Sequence, residues 1–246
     1  MSENQGTEGH IMTVNKPERL TQSEDDSRDV GRLVLGVIQS RRSIREGFID
    51  KPIPDEVLTE IIQSGLTAPS SKNAQPWRIH VVRRGEILSE IADYVQFGKC
   101  PETYVPHNPA TGKRREWAST VVESAQVLRE VGVGLFVENT GAFSGSRQTI
   151  VTTEQDLLHG AMIGYSFEVI GLGAMIENMW LSAHAQGLGG VFMGDVGIAE
   201  TEIQSRLAFS GDLVGVLALG YTVQEPWDKS LRADTVVYHT PETGEA

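Results

Sequence analysis

The sequence predicts one large α/β domain, a core of short buried strands set among helices, and three observations lead there. The first is size: 246 residues with 39% hydrophobic content can bury the core of such a domain. The second is a set of apolar, β-branched runs without strong alternation, "RIHVVRR", "VGVGLFVEN" and "VGVLALGYT". Strands of that composition are covered on both faces. The third is the long segment between Asp156 and Gly187, leading into "GAMIENMWLSAHAQGL". It is apolar around much of its circumference, as a central helix packed on several sides would be.

Along the chain, residues 1–29 are rich in Ser, Asn, Gln, Glu and Asp, and too polar to offset their ordering entropy by burial, so they read as a tail. From Val30, "VGRLVLGVIQSRRS" places Leu33, Val34, Val37 and Ile38 on one face of a helix. A dense cationic stretch, "RRSIR", follows it directly. In "IPDEVLTEIIQSGL", Pro54 and Asp55 are start signals, Val57, Leu58, Ile61, Ile62 and Leu66 keep helical spacing, and Gly65 marks the close. "APSSKNAQPW", from Ala68 to Trp77, turns that helix into the first strand. No internal repeat and no long linker divides the chain, so residues 30–240 read as the domain and 241–246 as its end.

Charge and composition exclude several classes of function. The formal net charge is −12, with 33 acidic against 21 basic residues, which opposes nonspecific attraction to nucleic acid or an anionic membrane. The single cysteine, Cys100, rules out an internal disulfide and fits a reducing compartment. No apolar run is long enough to span a bilayer and no signal pattern opens the chain, so the expected location is cytoplasmic. Six scattered histidines, none paired at ligand spacing, give no reason to expect a metal. There is no phosphate-binding Walker loop and no hydrolase elbow; "FSGSRQ" reads as a loop. "GLGGVFMGDVG" has the glycines of a dinucleotide fingerprint but runs into a strand instead of out of one.

Two stretches carry the functional reading. Arg41, Arg42 and Arg45, with the Ser43 hydroxyl, suit a phosphate and the polar edge of a ring, since guanidinium donates in a planar fork. Taken alone they also suit a solvated helix end complementing the helix dipole. Combined with "APSSKNAQPWRIHVV", "MIENMWLSAHAQGLGGVFMGD" and "LALGYTVQEPWDKSLR" in that order, the sequence resembles the FMN-dependent nitroreductase family from about Val30 to Thr240. The resemblance implies an α+β fold in which a mixed β-sheet is wrapped by helices, an intertwined homodimer, and two FMN sites at the dimer interface.

The same resemblance implies roles for individual residues. Arg41, Arg42 and Ser43 would hold the FMN phosphate and ribityl chain, and Arg45 would reach the pyrimidine side of the flavin, where a cation stabilises the charge of reduction. Arg232, with Lys229 near it, would add to the phosphate site. Pro69, Ser70, Ser71 and Asn73 would close over the flavin, largely from the partner subunit. A backbone N–H among Met193, Gly194 and Asp195 would donate to flavin N5. A variable lid is expected over about 95–130, an extended connection over about 139–167, and a strand exchanged with the partner in "RADTVVYHT". Phe97, Tyr104, Trp117 and Phe143 are aromatics that either stack on substrate or fill the core. Lys72 stands where the family often has a small residue.

The implied activity is hydride transfer from NADPH or NADH through flavin N5 to a nitroaromatic or quinone acceptor by a ping-pong mechanism, without a protein general base. Two alternatives accompany it. One is a same-fold reductive dehalogenase or flavin-fragmenting enzyme, and the other a non-catalytic flavin sensor or storage protein.

Overall fold

The computed structural model describes residues 24–98, 111, 120–231 and 235, the side chains from residue 28 onward. Four strands, β1 (Trp77–Arg83), β2 (Val133–Asn139), β3 (Gly189–Met193) and β4 (Asp212–Gly220), form one sheet in the order β1-β2-β4-β3. All three ladders are antiparallel. The strand expected to cross to the partner's sheet, residues 232–240, lies outside the described residues apart from Thr235.

Helices cover both faces of this sheet: α1 (Glu24–Ser40), α2 (Asp55–Leu66), α3 (Glu86–Gln96), α4 (Val121–Glu130), α5 (Ser146–Thr152), α6 (Leu158–Ala185) and α7 (Glu200–Leu207). That layering explains why β2 is buried at every residue and shows no alternation in its sequence. On one face Phe136, Val216 and Ala218 pack with Leu88, Ile91 and Leu128 from α3 and α4. On the other, Leu135, Leu217 and Leu219 meet Ile61 and Leu58 of α2 and Met175 and Met179 of α6. The strands are therefore sandwiched without being parallel.

α2 begins after Pro54 and carries Asp55 and Glu56 in its first turn, where acidic side chains favour the positive end of the helix dipole. Its Gly65 lets it lie directly on α6: a Cβ there would sit 2.4 Å from Met179 Cγ. α6, 28 residues and about 42 Å long, buries Leu172, Met175, Met179 and Ala183 in its C-terminal half. Its N-terminal half leaves Met162, Ile163, Phe167 and Ile170 exposed. α1 likewise exposes Leu33, Val34, Leu35 and Ile38.

Three expectations differ from the fold. α1 starts at Glu24, six residues before the boundary read at Val30, because a helix satisfies its backbone locally and needs no buried side chain to extend by a turn. Within the span 95–130 expected as a lid, α4 buries one face, Val121, Ala125, Val127 and Leu128, in the core. "FSGSRQ" is the entry to α5, with Ser146 buried and the left-handed Gly145 turning the chain. Among the described residues no helix is long and apolar enough to cross a membrane.

Candidate cofactor and active site

β3 is an edge strand, and the cationic segment after α1 runs beside it. The Ile44 N–H donates to the Gly190 carbonyl at 2.8 Å, and the Ile44 side chain is buried. Gly190 is needed there, since a Cβ would meet the Ala218 carbonyl oxygen at 2.4 Å. This anchoring presents Arg41 to α6. Arg41 Nε donates to Glu177 Oε1 at 3.0 Å, and its guanidinium carbon lies 4.0 Å from the Trp180 ring centroid. Its Nη1 is buried and has no hydrogen-bond partner among the described residues. A charged donor in that state is costly unless a ligand oxygen fills the position.

Arg42, expected on the phosphate, is committed to the backbone. Its Nε donates to the Trp227 carbonyl at 2.7 Å, and its Nη1 to the carbonyls of Gln39 (2.6 Å) and Arg41 (2.8 Å). Three carbonyls already occupy two of its nitrogens, so Arg42 ties the C-terminal segment to the end of α1. Lys229, exposed, follows Trp227 by two residues and is carried to the same end of the molecule. Arg232 lies outside the described residues. Ser43 is half-buried between the anchored neighbours, and Arg45 is exposed.

At this end His184 of α6 pairs its Nε2 with Ser40 Oγ at 2.8 Å. Burial lowers the His184 pKa, and the positive charges of Arg41 and Arg42 lower it further. A cavity of about 200 Å³ opens between Arg42, Trp180, His184, Gly189 and Gln224. Gln224 Oε1 is a buried acceptor without a donor. The region therefore offers cations, a neutral histidine and an open carbonyl, a set suited to a ligand with both phosphate and hydroxyl groups.

The Pro69–Asn73 loop is brought to α6 at a different height. Pro69 and Ser70 pack on Gly171, where a Cβ would lie 3.4 Å from the Pro69 carbonyl and from Ser70 Cβ. Gly171 precedes Glu177 by about 9 Å along the helix axis. Within one protomer the loop and Arg41 are thus separate. Lys72, Asn73 and Gln75 all have left-handed φ (54°, 55° and 47°). The turn is held by the Gln75 N–H donating to Ser70 Oγ (3.0 Å) and Gln75 Nε2 donating to Asn73 Oδ1 (3.2 Å). Such strain is found where the surroundings fix a loop for use.

The third group is at the far end of β3. Met193 is buried, Gly194 is exposed, and the chain then enters a 3₁₀ turn, Asp195–Ala199. The first N–H groups of such a turn have no partner within it. A Cβ at Gly194 would find only the Val214 carbonyl, 4.0 Å away, so the space over this backbone is open. The Asp195 carboxylate is turned the other way, accepting from Thr120 Oγ1 (2.7 Å) and Ser124 Oγ (2.9 Å) at the start of α4. Its contribution to a ligand is confined to backbone.

Of the aromatics, Phe97 is exposed and Phe143 meets Phe167 edge-on at 6.3 Å; Tyr104 and Trp117 lie outside the described residues. Sequence reasoning did not single out Glu177, Trp180 or His184. Their spacing of three and four residues, on the helix face toward the cations, was the available signal.

The described residues thus line one edge, from the cations at Gly190 to open backbone at Gly194. A family model described as the nitroreductase family matches residues 38–221. The chain belongs to the nitroreductase family. A chloronitrobenzene nitroreductase of Comamonas testosteroni is 26% identical over 200 residues, covering 75% of this chain and 85% of that protein. Other matches to this nitroreductase-family chain are shorter: about a third of the length of the first curated relatives is spanned, 37% for one from Archaeoglobus fulgidus. Among solved structures, a nitroreductase with bound FMN from Desulfitobacterium hafniense superposes with a TM-score of 0.60 at 18% identity, covering 85% of this chain and 98% of that one. The NADPH:FMN oxidoreductase of Vibrio harveyi complexed with NAD+ gives 0.60 at 21% identity, covering 87% and 80%. These likenesses establish the α+β fold.

Proposed function

We propose that the chain is a homodimeric, FMN-dependent NAD(P)H oxidoreductase reducing nitroaromatic, quinone or similar acceptors by a ping-pong mechanism. The observation that carries the reading is Arg41 Nη1, a buried cationic donor with nothing to bond, on a side chain otherwise fixed by Glu177 and Trp180. It fits one phosphate oxygen. When bound, FMN would supply two-electron hydride chemistry between NAD(P)H and the acceptor.

The residues of this chain bind and orient. Arg41 and Ser43 hold phosphate and ribityl oxygens, joined by Lys229 and Arg232 from the C-terminal segment that Arg42 secures. Arg45 supplies positive charge at the pyrimidine edge. A backbone N–H among Met193, Gly194 and Asp195 would donate to N5, and Gly194 allows close approach. Pro69, Ser70, Ser71 and Asn73 act on the partner's site, in keeping with their separation from Arg41 along α6. No side chain has to carry a proton as a general base.

The test is an absorption spectrum of the purified protein followed by stopped-flow mixing with NADPH and NADH. Flavin absorption that bleaches on mixing and returns on adding a nitroaromatic supports the reading. A protein that takes up no FMN refutes it, and one that takes up FMN but is not bleached by either nucleotide is a binding module.

A further inference from the structure

A cavity of about 330 Å³ lies beside the Gly194 end of β3, beneath the N-terminal half of α6. Resting on the proposed function, which places the reacting flavin edge at Gly194, we propose that this cavity receives the part of the acceptor projecting beyond its reacting group, and that it selects uncharged aromatic acceptors against carboxylated ones.

The volume is at the small end for ligand sites and suits a single substituted ring. Its walls are apolar: Val169 and Leu172 from α6, Leu213 and Val214 from β4. Its far end is polar, and the charges there are unequal. Among the described residues lining it, Arg147 is the one cation. Asp212 Oδ2 accepts from the Arg147 backbone N–H at 2.8 Å and pairs with its Nε at 3.2 Å, while Glu200 Oε1 pairs with its Nη2 and accepts the Leu213 N–H at 2.7 Å. Behind Asn139 sits a third carboxylate, Glu168, fully buried and held by neutral donors: Asn139 Nδ2 (3.0 Å), the Phe143 N–H (3.0 Å) and the Ser144 N–H (2.6 Å). One guanidinium thus pairs with two carboxylates at the cavity, and a third lies buried behind its wall.

Tyr165, which lines the cavity, registers this imbalance. Burial pushes its phenol up; Arg147 opposes the shift, and Asp212, Glu168 and Glu200 add to it. The phenol therefore stays protonated and can donate to a neutral carbonyl, hydroxyl or amide. An acceptor bearing a carboxylate would give up hydration to enter a negative field, with Arg147 already engaged by two partners. The gate is electrostatic, and neither the apolar walls nor the family motifs encode it.

The experiment compares 4-nitrobenzyl alcohol with 4-nitrobenzoate, similar in shape and opposite in charge character. Binding is followed by saturation-transfer NMR on the purified protein, and turnover as the ratio of the two kcat/KM values. The alcohol is expected to bind about tenfold more tightly, the size of one partly screened like-charge contact. Glu200→Gln, which keeps the accepting oxygen, should shift the ratio toward the benzoate by about threefold or more, and Val169→Trp should abolish saturation transfer to the alcohol by filling the cavity. Equal binding of the two probes, or a Glu200→Gln effect equal on both, overturns the inference even if the protein carries flavin and oxidises NAD(P)H. If the protein carries no flavin, the proposed function falls, and the NMR comparison still decides what the cavity prefers.

Discussion

Arg41 is one residue on which sequence and geometry converge, and it gives a sharp test. Replacing it by Ala removes the proposed phosphate donor together with its Glu177 and Trp180 contacts, so FMN affinity should fall by about 1.5–3 kcal/mol, the range for a hydrogen bond to a charged group. Riboflavin, lacking the phosphate, should bind the variant as it binds the parent protein. Titration calorimetry with both ligands checks this; matching losses would make Arg41 a structural residue. Arg41 stands out in the sequence because several cations in an acidic chain are conspicuous. The different part played by Arg42 was not, since its partners are backbone carbonyls, one of them at Trp227, and any sequence presents a carbonyl there. Trp180 and His184 were hidden for another reason. Their three- and four-residue spacing with Glu177 is present in the sequence, but on a helix apolar around much of its circumference it does not stand out as a polar face.

At the scale of elements, Glu138 fastens the middle of the sheet to the turn that precedes β4. Its Oε1 accepts the Ser210 N–H (2.9 Å), the Ser210 hydroxyl (2.9 Å) and the Gly211 N–H (2.7 Å), while Oε2 meets His80 Nε2 at 2.7 Å. Burial alone would raise its pKa, but His80, Ser210 and Gly211 outweigh burial and bring it to about 2. A depressed carboxylate stabilises the fold above its unfolded pKa, and the contribution is lost as pH falls toward the folded value. Stability on the order of 3 kcal/mol should therefore disappear between about pH 5 and pH 2, and Glu138→Gln should be destabilised at pH 7 with a flatter acid limb. Urea unfolding across that range is the measurement, and a parallel pH dependence in the two proteins would remove Glu138 from the account. α2 and α6 were readable nearly to their ends, because Pro54, Asp55 and Gly65 punctuate one and uninterrupted apolarity defines the other. α4 was taken into the lid because its buried face, Val121, Ala125 and Leu128, is spelled with small and medium residues between charged ones. The role of Glu138 was invisible because the turn it holds is about seventy residues away in sequence, and nothing near Glu138 names that partner.

Across the whole molecule, two helices of the chain expose much apolar surface. Leu33 is 71% exposed, Ile170 66%, and Leu35, Met162, Val34, Ile38 and Phe167 are all near half or more. Scattered exposed apolar residues are ordinary on a monomer, but these recur along consecutive turns of α1 and along the first half of α6, so they form faces. The Pro69–Asn73 loop packs on Gly171, about 9 Å along α6 from Glu177, and the proposed function has it reach the partner's flavin. Both facts are met by an obligate homodimer burying well above ~2,000 Å² in total. Sedimentation should show a dimer down to the lowest concentration measurable, with FMN retained throughout. Ile170→Asp should weaken it, because a carboxylate would be buried in the interface without a partner, and FMN should be lost in step with the dimer since each site draws on both subunits. A variant that sediments as a monomer and still holds FMN at micromolar concentration would show that each site is complete within one chain, and the assignment of the Pro69–Asn73 loop to the partner's flavin would fall with it.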